Sequence, residues 1–348
     1  MASFVFPPEL LDSICSHLPT PDLLAVAATN VVLNAVAQRT LYRHISITPA
    51  ANNLAVLETL AALPHTATHV RTFSLALHHE QPPTFYTLLA KALGHMTELT
   101  SLTLFLDPEA SWVLDSEARY LNLASFASSF PLDSNLAHFL SRTPAIVDLQ
   151  LGSALSSNDQ SEINLPPTSI PNLARFTGPH NTARILVPQR PLEALFLSEV
   201  ISDDSVFGQL SRSTANITIF DAVVSLGLLP CVTAISQSMP SLHHLRLMTV
   251  ATLDEQFDPV RRHSLKPRFR PSSPRFLQSL YQQLSDALGS MSGLDSFEYS
   301  GMNWTCWNDS DSKRVWQSSP PTPNSDFPQP PADNIDDIFE FSENMILF

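Results

Sequence analysis

One pattern, of the form L-x-x-L-x-L, recurs along most of this 348-residue chain and limits what it can fold into. It reads Val70-Arg-Thr-Phe73-Ser-Leu75, Leu99-Thr-Ser-Leu102-Thr-Leu104, Ile146-Val-Asp-Leu149-Gln-Leu151, Leu192-Glu-Ala-Leu195-Phe-Leu197, Leu242-His-His-Leu245-Arg-Leu247 and Leu294-Asp-Ser-Phe297-Glu-Tyr299, with weaker copies around Phe176 and Ile217. The closing x-L-x-L is strand alternation, one face buried and one open. The fourth position falls at residues 73, 102, 149, 176, 195, 217, 245 and 297, in steps of 29, 47, 27, 19, 22, 28 and 52. Between the copies, residues 85–93, 136–140, 228–239 and 276–288 carry apolar side chains at helical spacing. Strand then helix, repeated, is a unit that buries its apolar edge only against the next copy. The fold class expected is α/β.

The first forty-odd residues follow a different rule. Pro7 and Pro8 precede Glu9, Leu10, Leu11, Ile14 and Leu18 at helical spacing, and Pro19 stops this helix. Thr20 suits an N-cap, Pro21 a first turn and Asp22 the positive end of the dipole, so a second helix follows through Leu23, Leu24, Val26 and Ala27. A third runs from about Val31 to Tyr42. No charged residue lies between Leu23 and Gln38, and the third helix is apolar on more than one face. So small a unit cannot bury that surface within itself, so a partner or the rest of the chain must cover it.

The run Pro7-Pro8-Glu9-Leu10-Leu11, then Ile14, Leu18, Pro21-Asp22-Leu23-Leu24 and Leu41-Tyr42-Arg43-His44-Ile45 resembles an F-box, most closely those of fungal F-box proteins. It departs from the common pattern in having no tryptophan before Trp112 and Thr29-Asn30 where a basic residue is frequent. The resemblance implies three helices that bind a Skp-family adaptor and, through it, a cullin. Carried over by position, Pro8, Leu10, Leu11, Ile14, Leu18, Leu23 and Leu24 form the docking surface or its immediate support. The repeats resemble the leucine-rich-repeat regions that often follow an F-box, with a similar period of roughly 20–29 residues, but without the asparagine usual after the strand.

In such a solenoid the residues between the buried positions line an open surface of the kind that binds proteins or peptides. Gln150, Phe196, His244, Arg246 and Glu298 are the substrate-binding candidates. Two segments fall outside the repeats. Residues 258–275 hold six basic residues, one acid and four prolines, and read as a basic loop inside the longest gap, either simply solvated or a nuclear-import or acidic-partner signal. From residue 304 the composition becomes proline-rich and acidic. A disordered tail is expected there, with Asn334 capping a short terminal helix that either docks in a partner groove or folds back on the last repeat.

Catalytic signatures are missing: the sequence has no GxSxG, GxxxxGK or HExxH motif. The pairs His78-His79 and His243-His244 are adjacent and so point to opposite sides of a strand, which does not suit joint metal ligands. Cys15, Cys231 and Cys306 are too few and too scattered for a disulfide framework, which points to a reducing compartment. A net charge of −14 opposes nucleic-acid binding. No membrane span is expected, because the most apolar stretch, 217–235, contains Asp221, Ser225 and Pro230 and reads as a strand followed by a helix.

These features yield an α/β chain in three parts: an N-terminal three-helix F-box (1–47), an irregular leucine-rich-repeat-like solenoid (48–303) and a disordered tail (304–348). The function expected is that of a substrate-recognition adaptor of an SCF-type cullin–RING ubiquitin ligase, in the cytoplasm and, if the basic loop is an import signal, also the nucleus. It would be no enzyme and would need neither cofactor nor metal. The alternatives are an F-box protein acting with its Skp-type adaptor outside the ligase, a non-catalytic repeat scaffold, and a divergent hydrolase or transferase. The last would require a convergent pocket of titratable residues.

Overall fold

The computed structural model describes residues 7–48, 53–77, 81–115, 117–152, 163, 165–250, 274–299, 302–308 and 314–319. The basic run 258–273 and the terminal segment that begins at Asn334 lie outside them, as do His78 and His79.

Three short helices come first: α1 (Pro8–Cys15), α2 (Thr20–Ala27) and α3 (Val31–Leu41). Thr20, expected as the cap of α2, is its first residue, and the cap position falls to Pro19. Asn30 is the cap that works: its Oδ1 accepts from the Leu33 N–H at 2.9 Å and satisfies one of the orphan donors of α3. Asn34 Nδ2 donates to the Ala27 carbonyl at 2.9 Å, tying α2 to α3, and Arg39 Nη2 lies 2.9 Å from Asp12 Oδ1, tying α1 to α3. Between the helices Cys15, Leu23, Val36 and Ala37 form a small core of their own, lined by Leu11, Leu18, Val26, Ala27 and Leu41.

The helix α3 leads directly into a twelve-stranded sheet whose spatial order is the sequence order, β1 to β12. The strands are β1 (His44–Ile47), β2 (Thr72–Ala76), β3 (Ser101–Phe105), β4 (Ser125–Ser128), β5 (Asp148–Leu151), β6 (Arg175–Gly178), β7 (Ala194–Ile201), β8 (Ile219–Val224), β9 (His244–Thr249), β10 (Ser296–Tyr299), β11 (Met302–Asn308) and β12 (Arg314–Ser319). Strands β1 to β10 are parallel, while β11 and β12 are antiparallel additions at the end.

Helices occupy most connections between the parallel strands: α4 (Ala55–Ala62), α5 (Pro64–Ala67), α6 (Pro83–His95), a 3-10 helix (Pro108–Leu114), α7 (Ser134–Ser141), α8 (His180–Leu186), α9 (Ser205–Leu210), α10 (Leu228–Ser238) and α11 (Pro274–Gly289), while none lies between β5 and β6 among the described residues. Alternate strand residues such as Phe73, Leu102, Leu149, Leu195, Leu245 and Phe297 are buried with helical residues such as Leu89, Leu93, Leu140 and Ile235 in one core. The residues between them stay partly exposed along the strands. Helices therefore cover one face of the sheet. Helices on both faces, the usual dress of a parallel sheet, would bury both sets of side chains.

The two long steps of the sequence pattern have different origins. The 47-residue gap hides β4, where Leu123-Ala-Ser-Phe126-Ala-Ser128 ends on serine instead of leucine; Ser128 is fully buried and its Oγ has no hydrogen-bond partner among the described residues. The 52-residue gap is a genuine long connection, yet β10 still pairs with β9 in register. The sheet itself extends past both ends of the repeat pattern. The sheet begins at His44, inside the segment allotted to the N-terminal helices, and runs beyond residue 303 through β11 and β12 to Ser319. Buried Trp304 and Trp316 carry the core onto those last strands.

The shortest step, from β6 to β7, is pinned by an arginine. Arg190 is 1% exposed, and its guanidinium donates to the carbonyls of Leu186 at 2.8 Å, Pro166 at 3.0 Å and Ser169 at 3.1 Å. It joins the end of α8 to the loop that precedes β6, and burial lowers its pKa. Replacing it strands several buried carbonyls. Arg190→Met is expected to lower stability by about 3 kcal/mol, measured by chemical denaturation, with Arg190→Lys recovering only part because an ammonium cannot span the same fork of acceptors. A loss within about 0.5 kcal/mol would show that the pin is dispensable.

Candidate functional site

Every parallel strand presents its non-buried residues to the face that the helices leave open, and the register stacks them into rows. One row runs Gln150, Thr177, Phe196, Asp221, Arg246 and Glu298 from β5 to β10. It brings together four of the five residues expected to bind substrate. The fifth, His244, lies two residues before Arg246 on the same side of β9, with Nδ1 2.8 Å from Ser296 Oγ on β10.

Asp221 is the member of this row that the sequence pattern missed. The weak copy was centred on Ile217, whereas the residue stacked with Leu195 and Leu245 is Phe220. With Phe220 as the buried centre, Asp221 falls on the open face between Phe196 and Arg246. The signal that would have found it is the spacing: counted from Phe220, the neighbouring steps become 25 and 25.

Asp221, Arg246 and Glu298 form an acid–base–acid series. Arg246 Nη1 lies 3.5 Å from Asp221 Oδ2, and Arg246 Nε lies 3.8 Å from Glu298 Oε1. Both separations exceed the 2.7–2.9 Å of a charge-assisted hydrogen bond, and the buried Nε has no hydrogen-bond partner among the described residues. One guanidinium thus serves two carboxylates and pairs closely with neither. Burial pushes the Asp221 carboxyl up to about 6; Arg246 opposes this and Glu298 adds to it. Along the adjacent row Asp148 faces Arg175 at 3.2 Å, and burial raises its pKa against the pull of that arginine. One position beyond the charged series, Val200, Val223 and Met248 are paired across β7, β8 and β9. Val200 and Met248 are exposed, which makes an apolar row beside the charged one.

A second surface lies on the N-terminal helices. Leu10 and Ile14, four residues apart on α1, are 52% and 53% exposed, Leu24 on α2 is 58% exposed, and Val31 and Val32 at the start of α3 are 85% and 57% exposed. Leu11 and Leu18 are half-buried against the small core. Leu23, 4% exposed, belongs to that core and supports the surface from within. The side chain of Pro8 lies outside the described residues.

Burial, with a smaller contribution from Asp204, pushes the Cys231 thiol up to about 12, far from a thiolate. Cys306 is half-buried against the core, and His243 Nδ1 lies 3.1 Å from the Ser241 carbonyl, away from the open-face row. Among the described residues no group of three His, Cys, Asp or Glu could hold a metal, and no helix is long and apolar enough to cross a membrane. No protein-family model and no curated protein matches the chain.

The charged series has a pH signature. The folded-state pKa of Asp221 lies above that of an unfolded aspartate, so its contribution to stability is complete below about pH 4 and is lost as pH rises through about 6. Asp221→Asn removes this loss. The variant should gain on the parent protein by on the order of 2 kcal/mol between pH 4 and pH 7, read as the difference in denaturant midpoints. A difference that stays flat across that window would mean that Asp221 titrates normally.

Proposed function

We propose that this protein is a substrate-recruiting adaptor of an SCF-type cullin–RING ubiquitin ligase, in which the N-terminal helices dock on a Skp-family adaptor and the open face of the sheet, as the inner surface of a divergent leucine-rich-repeat solenoid, binds a protein substrate. The observation that carries the reading is the exposure of Leu10, Ile14, Leu24, Val31 and Val32 on three short helices with a core of their own. Burying a single leucine or valine completely is worth roughly 1.5–3 kcal/mol, so a folded unit that leaves five such side chains half or more in water has much to gain from a partner. The resemblance of Pro7-Pro8-Glu9-Leu10-Leu11 and Pro21-Asp22-Leu23-Leu24 to an F-box names that partner.

The sheet supports the other half of the reading. Strand order equal to sequence order, with helices on one face, is the topology that stacked repeats produce. Among the described residues no helix covers the other face of the sheet. Ubiquitin transfer would occur on other subunits, so this chain works by raising the effective concentration of substrate near the enzyme. It needs no catalytic residue and no cofactor.

Co-purification with a Skp-family adaptor tests the first half. Leu10 and Ile14 are exposed, so Leu10→Asp/Ile14→Asp should fold as the parent does, with unchanged circular dichroism and melting temperature, while adaptor capture falls at least tenfold. A deeper change at buried Leu23 would confuse docking with folding. If the parent captures no adaptor, the docking reading fails and the chain is a repeat scaffold without a ligase. If adaptor is captured but cullin does not join, the complex acts outside the ligase.

A further inference from the structure

The open face is not uniform. Over β7, β8, β9 and β10 one row reads aromatic, acid, base, acid, and the next row is aliphatic over three strands. Neighbouring strands lie about 4.8 Å apart, so Phe196 and Asp221 stand side by side, as do Asp221 and Arg246. Arg246 is held away from both of its acids, at 3.5 Å and 3.8 Å. With both carboxylates ionised, the series carries one negative charge that no neighbour in the row compensates. A carboxylate accepts up to about four hydrogen bonds, and neither of these acids receives one from Arg246. The aliphatic row Val200, Val223 and Met248 begins within one strand repeat of Asp221 and is open to solvent at both ends. Aromatic residues, methionine and arginine are enriched at interfaces, and Phe196, Arg246 and Met248 stand together on this part of the sheet.

We propose that this part of the sheet binds a protein segment bearing an arginine or lysine beside an apolar side chain, the basic group lying between Phe196 and Asp221 and the apolar one on Val200, Val223 and Met248. This deepens the substrate-binding half of the proposed function and rests on it. The basic group takes up the charge that Arg246 leaves uncompensated, and its stem or guanidinium plane lies against an aromatic ring, a favourable cation–π placement. An acidic segment meets Asp221 and Glu298 and is repelled, which gives the surface its selectivity. Three charged or titratable groups face Asp221 from the neighbouring strands: His244 and Arg246 on β9 and Glu298 on β10; its partner on β7 is the uncharged Phe196.

The test is a peptide-display selection of random twelve-residue sequences on the full-length protein at pH 7.5, run in parallel on Asp221→Asn and Phe196→Ser. The expected result is enrichment of Arg or Lys next to Leu, Ile, Val, Met or Phe and depletion of Asp and Glu. A peptide selected on the parent should bind each variant roughly tenfold more weakly, while adaptor capture by the N-terminal helices is unchanged. Its affinity for the parent should fall between pH 7 and pH 5 as Asp221 takes up a proton, and that dependence should flatten in Asp221→Asn. Enriched peptides without a basic residue, no enrichment at all, or equal binding by Asp221→Asn overturns the proposal. Loss of adaptor capture by the parent overturns the ligase reading and leaves this result standing on its own.

Discussion

Register between parallel strands is the constraint on which the rest of this protein depends. Just before each strand, a backbone N–H donates to the carbonyl of the equivalent residue one strand earlier. Arg71 donates to Arg43, Thr100 to Arg71, Ala124 to Thr100, Val147 to Ala124, Ala174 to Val147, and so through Glu193, Thr218 and His243 to Asp295, at 2.8–2.9 Å throughout. Nine steps of one ladder fix each parallel strand from β2 to β10 against its predecessor. Because side chains alternate with a period of two, a slip by one residue would move every buried Phe and Leu to the open face. The cost of that error grows with each strand, and this is what holds a sheet with helices on one face to a single arrangement.

The same register makes the surface. Residues with no pattern in sequence become neighbours because they occupy the same place in successive repeats. Asp221, Arg246 and Glu298 are separated by 25 and 52 residues, yet they stand on adjacent strands. Their electrostatics follow from placement on a half-desolvated sheet. Ladder geometry sets the spacing of the charges and places Arg246 between two acids, 3.5 Å from one and 3.8 Å from the other. The N-terminal helices solve a different problem. They hold a core of only a few side chains, closed by the Arg39–Asp12 ion pair and the Asn34 bond, and they leave their remaining apolar residues outside.

Much of the fold was legible because the pattern itself is the physics. Phe73, Leu102, Leu149, Leu195, Leu245 and Phe297 were readable as strand centres, and the helices around residues 85–93, 136–140 and 228–239 were readable from their spacing. What the sequence concealed has particular causes. Strand β4 was lost because its last buried position is Ser128, a small polar residue that strand alternation does not reveal. Strand β1 was lost because it joins α3 without a break and was absorbed into the helical resemblance. Strands β11 and β12 were lost because tryptophan-rich, polar segments near prolines look like the start of a tail. Of the candidate site, the row position of Gln150, Phe196, Arg246 and Glu298 followed from alternation. Asp221 did not, since Ile217 offered an equally apolar centre three residues early. Nor could spacing alone tell Leu23, which turns inward, from Leu24, which does not.

The order of the strands also bears on how the chain reaches this state. Each strand pairs only with its sequence neighbours, so most contacts close loops of about one repeat. A chain of this kind need not search for distant partners; ordered structure can start at any pair of repeats and grow outward. The exception is the junction of β9 with β10, where twice the usual length of chain must close. Loop-closure entropy rises only with the logarithm of length, by about 0.6 kcal/mol for a doubling. A connection twice as long at that junction therefore takes little from the stability of the finished sheet.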